Sequence, residues 1–177
     1  MRLHLTRLPM VFEVESHPHE DDRGGFQRTW CTDAFARARI DFAPCQSSLS
    51  TNHAAHTLRG MHWQAAPHSE QKLVRCVAGR IWDVALDLRR DSPSYLKWHA
   101  EELSAERGNA LFLPRGVAHG FLTLSPNAVV EYLIDVPHAA DAASGARWND
   151  PAFGIDWPAM PAVMSDRDRD WPDFPHG

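Results

Sequence analysis

The sequence has little cysteine and no long apolar run, and both absences narrow the class of protein. Its three cysteines are widely spaced and form no Cys-x-x-Cys pair. We therefore expect reduced thiols in a cytoplasmic protein, with neither a disulfide framework nor a zinc site. No apolar stretch approaches the roughly 20 residues that cross a bilayer. Polar residues interrupt the N-terminus at Arg2, His4 and Arg7, so we predict neither a membrane association nor a signal peptide.

Clusters of positive charge are also missing. The chain has 18 lysines and arginines against 23 acidic residues, which gives a formal net charge of -5. The basic residues are scattered, so no nucleic-acid-binding surface is expected. One or two arginines can still clamp a diphosphate, which leaves a nucleotide sugar as a candidate partner. A length of 177 residues fits one domain, residues 1–177, with its own core.

What the sequence does contain is turn residues between short alternating runs. With 13 prolines and 10 glycines, it indicates an all-β protein of about ten strands, arranged as a sandwich or a jelly-roll barrel. One short helix is expected at Thr32–Arg39, with Thr32 as its N-cap. Lys72–Leu88 consists almost entirely of strand-forming residues around Gly79, which predicts a central hairpin. From Pro137 onward we expect an irregular tail packed across the barrel.

The stretch Leu58–Arg75, "LRGMHWQAAPHSEQKLVR", is the most informative part of the chain. It places His62, a base near neutral pH, close to Lys72, a positive charge at the start of an apolar run. This combination indicates proton chemistry at a site for an oxygen-rich or anionic ligand.

A second stretch suggests the type of barrel. Gly108–His119, "GNALFLPRGVAH", resembles the second conserved motif of the cupin barrels, whose histidine often binds a metal. The first cupin motif has a glycine seven positions after its metal-binding glutamate. If Gly79 is that glycine, Lys72 stands at the glutamate position and Ala66 at the position of a metal-binding histidine. An ammonium group repels a metal ion. We therefore expect a cupin-type barrel without a metal, in which Lys72 supplies a fixed positive charge.

The full set of motifs resembles the dTDP-4-dehydrorhamnose 3,5-epimerase family, within the cupin superfamily, along most of the chain. The matching segments follow the family order: "DDRGGF" (Asp21–Phe26), "LRGMHWQ" (Leu58–Gln64), "KLVRCVAGRIWDVALDLR" (Lys72–Arg89), "SPSY" (Ser92–Tyr95), "LFLPRGVAHGFLTLS" (Leu111–Ser125), "EY" (Glu131–Tyr132), "RWNDPAFGIDWP" (Arg147–Pro158) and "SDRD" (Ser165–Asp168).

The resemblance implies a jelly-roll barrel, a homodimer that exchanges N-terminal strands, and an epimerase that needs no cofactor. It implies four catalytic residues: His62 as general base, Tyr132 as the opposing acid, Lys72 as the cation that stabilises an enolate, and Asp168 as the carboxylate that orients His62. It also implies substrate contacts at Arg23, Gln46, Arg59, His119 and Arg169, the last at a position where the family commonly has lysine.

These roles make chemical sense for epimerisation next to a ketone. Removing a proton from carbon needs a base on one face and stabilisation of the developing oxyanion. Inversion needs proton return from the opposite face, and Tyr132 is one of only two tyrosines. We therefore expect an isomerase that inverts C3, C5 or both in a nucleotide-linked 4-keto-6-deoxy sugar, as in dTDP-L-rhamnose or related deoxysugar biosynthesis.

The chain departs from the family pattern mainly at substrate-facing positions. Arg28 stands where the family has glutamate and Ser48 where it has asparagine, while Ala143-Ser144 replaces an acidic residue. The aromatic residues that normally follow the catalytic tyrosine are absent from "DVPHAAD". The sequence therefore predicts the reaction class more strongly than it predicts the nucleotide of the substrate. A single-centre epimerase or a 3,4-ketoisomerase acting on a non-dTDP sugar is an open alternative.

Two further alternatives come from other functional classes. Lys72 and Ala66 argue against a metal-dependent cupin oxygenase. The retained base and acid argue against a non-catalytic sugar-binding barrel, because binding alone needs neither. Individual residues also have structural readings: Asp168 could lie on a solvated surface, His119 could cap a turn, and Tyr132 could simply pack within a strand.

Overall fold

The structure is a computed structural model that describes residues 1–174, so the last three residues of the predicted domain lie outside the described part. The described residues form thirteen strands and two short α-helices. The strands are β1 (Arg2–Leu5), β2 (Phe12–Glu15), β3 (His19–Asp21), β4 (Gly24–Phe26), β5 (Gln46–Asn52), β6 (Leu58–Gln64), β7 (Lys72–Ala78), β8 (Arg80–Asp87), β9 (Trp98–Ser104), β10 (Ala110–Leu113), β11 (Val117–Thr123), β12 (Ala128–Ile134) and β13 (Ala143–Gly145). The helices are α1 (Thr32–Arg37) and α2 (Asp166–Arg169).

Two antiparallel sheets face each other. One has six strands in the order β1-β2-β10-β7-β12-β5, and the other has five in the order β13-β6-β11-β8-β9, while β3 and β4 form a separate pair. The sheets share an apolar core that includes Val74, Leu111 and Val130 from the first sheet and Ile81 and Phe121 from the second. The all-β, cupin-like prediction is confirmed, although the two sheets do not close into one barrel.

Each sheet is covered on its outer face. Helix α1 and the chain after it cover the six-stranded sheet, where Phe35, Phe42 and Phe112 pack with ring centroids 5.3 to 5.5 Å apart. The predicted N-cap at Thr32 is wrong by one residue. The extended backbone that marks a cap occurs at Cys31, with φ of -155°, and its side chain makes no capping hydrogen bond. The helix ends at Arg37, two residues before the predicted end, because Arg39 has a φ of 59° and cannot continue a right-handed helix.

The C-terminal tail covers the five-stranded sheet, as predicted. Phe153, Trp157 and Phe174 pack on the outer core of that sheet. The tail is more regular than expected, because β13 extends the sheet beside β6 and α2 adds a second helix. The prediction of a single helix is therefore wrong. Among the described helices, none is long and apolar enough to cross a membrane.

The predicted hairpin around Gly79 is also wrong. Strand β7 lies between β10 and β12 in one sheet, whereas β8 lies between β11 and β9 in the other. Gly79 has a φ of 75°, a conformation that glycine adopts without strain. The chain turns there from one sheet to the facing one. Apolar residues of both strands, such as Val74 and Ile81, are then buried in the same core across the sandwich.

Candidate active site

Two paired strands bring two histidines to the interior of the sandwich. His62 of β6 lies directly opposite His119 of β11, and directly paired residues of an antiparallel ladder share one face. Close approach of the strands depends on Gly60, which has a φ of 131° and whose added Cβ would collide with the backbone of Gly120. The glycine two residues before His62 is therefore required by the close packing of the two strands.

The first histidine is paired with a buried carboxylate. His62 Nε2 lies 2.5 Å from Asp168 Oδ1, and the Asp168 side chain is only 6% exposed. Ser165 caps α2 by accepting a hydrogen bond from the Asp168 N–H. Burial alone would raise the pKa of Asp168, but the hydrogen bond and charge of His62 outweigh it and hold that pKa below its ordinary value. The surface interpretation of Asp168 is therefore wrong.

This pairing decides which nitrogen of His62 can act as a base. An ionised carboxylate only accepts hydrogen bonds, so the proton between the two groups is carried by Nε2 of His62. The lone pair of a neutral imidazole is then on Nδ1. The arrangement suits proton abstraction by Nδ1 while Asp168 stabilises the imidazolium that forms.

His62 opens onto a cavity of about 200 Å³ between the two sheets and the C-terminal tail. Its wall combines three of the predicted site residues with residues that sequence analysis did not select. The lining residues are Gln46, His62, Trp63, Gln64, Glu70, Lys72, Ile134, His138, Ala143, Ser144 and Arg167.

Lys72 does not face this cavity alone. Its Nζ lies 2.7 Å from Glu70 Oε1, and the two side chains are 10% and 7% exposed. Glu70 Oε2 also accepts a hydrogen bond of 3.1 Å from the Gln64 N–H. The carboxylate therefore joins the strand that carries His62 to the strand that carries Lys72.

The second histidine belongs to a deeper group. His119 Nε2 lies 2.7 Å from Asp83 Oδ1, with both side chains buried, and its ring centroid lies 5.8 Å from that of Tyr132. Burial raises the pKa of Tyr132 well above its ordinary value, and the charge of Asp83 adds to this effect, so the phenol stays protonated. Of these three residues, none is in the cavity wall. His119 is thus held by a carboxylate and does not cap a turn.

The predicted substrate contacts are divided between the cavity and the surface. Gln46 lines the cavity and accepts a hydrogen bond of 2.9 Å from the His138 N–H. Arg59 is outside the wall and its Nε donates to Asn52 Oδ1 at 2.8 Å. Arg23 lies at the exposed β3–β4 turn, where it pairs with Asp21.

The two arginines of α2 have different surroundings. Arg169 is exposed and pairs with Asp166 at 2.5 Å, and it does not line the cavity. Arg167 does line it, with its guanidinium 5.1 Å from the ring centroid of Trp171. Within residues 1–174, no group of three or more His, Cys, Asp or Glu side chains is placed to hold a metal ion.

The family can now be established. The family model described as dTDP-4-dehydrorhamnose 3,5-epimerase matches residues 5–176. The chain belongs to this family. A family member from Sinorhizobium fredii, named dTDP-4-dehydrorhamnose 3,5-epimerase, is 40% identical over 153 residues, which cover 86% of this chain and 78% of that protein.

Solved structures of dTDP-sugar epimerases show the same architecture. The dTDP-4-dehydrorhamnose 3,5-epimerase from Bacillus anthracis, with TDP and PPi bound, is 35% identical with a TM-score of 0.94, covering 98% of this chain and 99% of that one. A 3'-monoepimerase from Streptomyces bikiniensis in complex with dTDP-quinovose is 30% identical with a TM-score of 0.89, covering 96% and 86%.

Five polar residues of the site were not selected from the sequence of this dTDP-4-dehydrorhamnose 3,5-epimerase family member. They are Gln64, Glu70, Asp83, His138 and Arg167. Only Asp83 had a local signal, because a lone carboxylate within an apolar strand needs a buried partner. The others occur in polar stretches where many side chains could equally face solvent.

Proposed function

We propose that this protein epimerises a dTDP-linked 4-keto-6-deoxy sugar at C3 and C5. The observation that carries the proposal is the His62–Asp168 pair, which opens onto the same cavity as Lys72. A base and a cation in one cavity are what proton removal next to a ketone requires. Family membership supports the same reaction.

The proposed reaction begins with proton abstraction. Nδ1 of His62 takes the proton from the carbon next to the ketone, and the electron pair of the C–H bond moves into a new C=C bond. The carbonyl π electrons move to oxygen and form an enolate, which Lys72 stabilises by donating an N–H hydrogen bond. Asp168 stabilises the imidazolium formed at His62.

Reprotonation completes the inversion. Tyr132 is the proposed acid, and its raised pKa keeps the phenol protonated until the enolate accepts the proton on the face opposite His62. The carbonyl re-forms with the opposite configuration at carbon. His119, 5.8 Å from the Tyr132 ring, is proposed to contact the substrate from the same side.

The remaining contacts are assigned by charge. Arg167, in the cavity wall, suits the diphosphate because guanidinium groups bind phosphate bidentately. Gln46, Arg59 and Arg169 stay proposed contacts. Arg23 lies outside this cavity wall. In the predicted homodimer that exchanges N-terminal strands, its proposed contact would be made in the cavity of the partner. The homodimer and the cytoplasmic location stay predictions.

A single-centre epimerase is the second candidate. It is favoured by the departures at Ala143 and Ser144, which both line the cavity, whereas the relatives named 3,5-epimerase support inversion at both carbons. Changed wall residues alter how the sugar ring can sit above the base, and this determines which carbon presents its proton.

Hydrogen exchange with solvent tests the proposal and separates the two candidates. Purified protein in D₂O is given dTDP-4-keto-6-deoxyglucose, and the sugar protons are followed by NMR. Loss of the C3 and C5 signals is expected for the 3,5-epimerase, and loss of one signal for a single-centre enzyme. His62→Ala should abolish exchange, whereas His53→Ala, at an exposed position, should not. No exchange at either carbon with folded protein contradicts the proposal.

A further inference from the structure

The two cations in the cavity wall, Lys72 and Arg167, differ in whether a carboxylate is paired with them. Lys72 contacts the carboxylate of Glu70 at 2.7 Å with little solvent exposure of either group. Arg167 donates a 3.5 Å hydrogen bond to the Ala143 carbonyl and packs over Trp171, and among residues 1–174 no carboxylate pairs with it. The charge of Lys72 is therefore balanced by its partner, whereas Arg167 has no carboxylate partner in the described part of the chain.

This difference has consequences for the ligand groups that each cation can bind. A phosphate that approached Lys72 would also approach Glu70, and the repulsion from the carboxylate would offset the attraction to the ammonium. The pair is buried, so solvent and salt screen neither interaction strongly. A neutral carbonyl oxygen avoids this repulsion, because it needs only a hydrogen-bond donor. The ammonium has three N–H groups, and pairing with Glu70 leaves two available.

Glu70 is also held in place independently of Lys72. Its second oxygen accepts the Gln64 N–H, and Gln64 in turn donates from Nε2 to the His68 carbonyl at 3.0 Å. Both oxygens of the carboxylate are therefore anchored, one by Lys72 and the other by the backbone of β6.

We propose that Glu70 is a specificity-determining residue that reserves Lys72 for the neutral sugar carbonyl and directs the diphosphate to Arg167. The inference rests on the proposed function only for the identity of the sugar. The discrimination against anions is a property of the cavity itself and is measured without turnover.

Binding of inorganic diphosphate, followed by isothermal titration calorimetry, tests the proposal. Glu70→Gln keeps the size of the side chain but removes the charge that masks Lys72, so we expect it to bind diphosphate about tenfold more tightly than the wild type. Glu70→Asp keeps the charge and should stay close to the wild type. Glu102→Gln, which removes a surface carboxylate paired with Arg80, is the matched control and should leave binding unchanged.

A double variant decides whether Lys72 causes the gain. Glu70→Gln combined with Lys72→Gln replaces a neutral pair by another neutral pair, so its affinity for diphosphate should return to that of the wild type. If Glu70→Gln does not fold, Glu70→Ser, which also removes the charge, takes its place. Unchanged binding in Glu70→Gln, or a severalfold loss of affinity in the double variant, overturns the proposal, because Lys72 would then be either inaccessible or already binding anions.

The same measurements separate this inference from the proposed function. If the expected binding pattern occurs but wild-type protein causes no hydrogen exchange in dTDP-4-keto-6-deoxyglucose, the role of Glu70 is supported and the proposed substrate fails. If exchange occurs and the binding pattern does not, the epimerase stands and the role of Glu70 fails.

Discussion

The interior has a polar half around the cavity and an apolar half in the shared core, and strands β7 and β12 run through both. At one end of these strands, Lys72 and Ile134 line the cavity. Further along, Val74, Cys76 and Val130 are at most 1% exposed and belong to the shared core. Burial raises the pKa of Cys76 to about 11, so this thiol stays protonated at neutral pH. The same pair of strands therefore carries reactive groups at one end and inert ones at the other.

The two halves differ in the interactions that stabilise their buried side chains. The apolar half is stabilised by removing hydrocarbon surface from water. In the polar half the buried charges have partners, since Lys72 pairs with Glu70 and Asp168 with His62. A buried charge without a partner is strongly unfavourable. Substitutions in the two halves should therefore change different properties.

The largest effect is expected at the polar half. His62→Ala removes the proposed base, and we expect kcat to fall by about 10³-fold. The change also leaves the buried Asp168 carboxylate without its partner, so the melting temperature should fall as well, and kcat is measured well below it. Steady-state kinetics and thermal unfolding measure the two properties. A variant that keeps more than a tenth of wild-type kcat would contradict the role of His62.

The apolar half should show the opposite result. Leu111→Ala leaves a cavity at a fully buried position and is expected to lower the free energy of unfolding by about 3 kcal/mol. Urea denaturation measures this loss, and kcat below the unfolding temperature should stay close to that of the wild type. Leu5→Ala, at a position that is 63% exposed, is the control. Equal destabilisation by the two variants would refute the comparison.

Asp87 is a buried, paired carboxylate that lies outside the cavity wall. Its substitution shows whether such a carboxylate affects stability without affecting activity. Asp87 accepts hydrogen bonds from Arg89, Ser92 and Ser94. Burial would raise its pKa, but these bonds lower it from 3.8 to about 2.

Because the pKa of Asp87 is lower in the folded state, its contribution to stability is present above pH 4 and is lost as the pH falls through about 2. Asp87→Asn should cost about 2 kcal/mol of unfolding free energy at pH 7, with kcat unchanged. The difference from the wild type should shrink in acid, as measured by urea denaturation across pH. A loss that stays constant down to pH 2 would contradict this account.

The smallest effects distinguish the two arginines of α2. Arg167→Gln removes the cation in the cavity wall and should raise KM for the dTDP-sugar about tenfold. Arg169→Gln removes a proposed contact that is exposed and paired with Asp166, so its KM should rise only about twofold to threefold. Steady-state kinetics at low salt compares them. The reverse order would place the diphosphate on the other side of α2.

Local patterns predicted much of the fold. The strand-forming stretch Lys72–Leu88 matches β7 and β8 to within one residue of their outer bounds, because strand-forming residue types are recognised from the local sequence alone. The hairpin around Gly79 failed for a different reason. Apolar strand residues can be buried by an adjacent strand or by a facing sheet, and the amino-acid types do not distinguish these outcomes.

The candidate site was also predicted in part from residue type and order, whereas its contacts between distant residues could not be read from local sequence. His62, Lys72 and Asp168 were selected from the sequence because their side chains have the chemistry of a base, a cation and an orienting carboxylate, in the order of a known family. The pairing of His62 with Asp168, 106 residues apart, was implied by that resemblance and does not follow from local pattern.

The sequence by itself determined the all-β class, the family and the chemical types of the proposed catalytic groups, because these depend on residue identity and order. Only the tertiary structure placed β7 and β8 in opposite sheets, Glu70 beside Lys72, and Arg167 in the cavity wall in place of Arg169. These facts depend on which distant strands pair and on the direction in which each side chain points. Both are decided by the packing of the whole core.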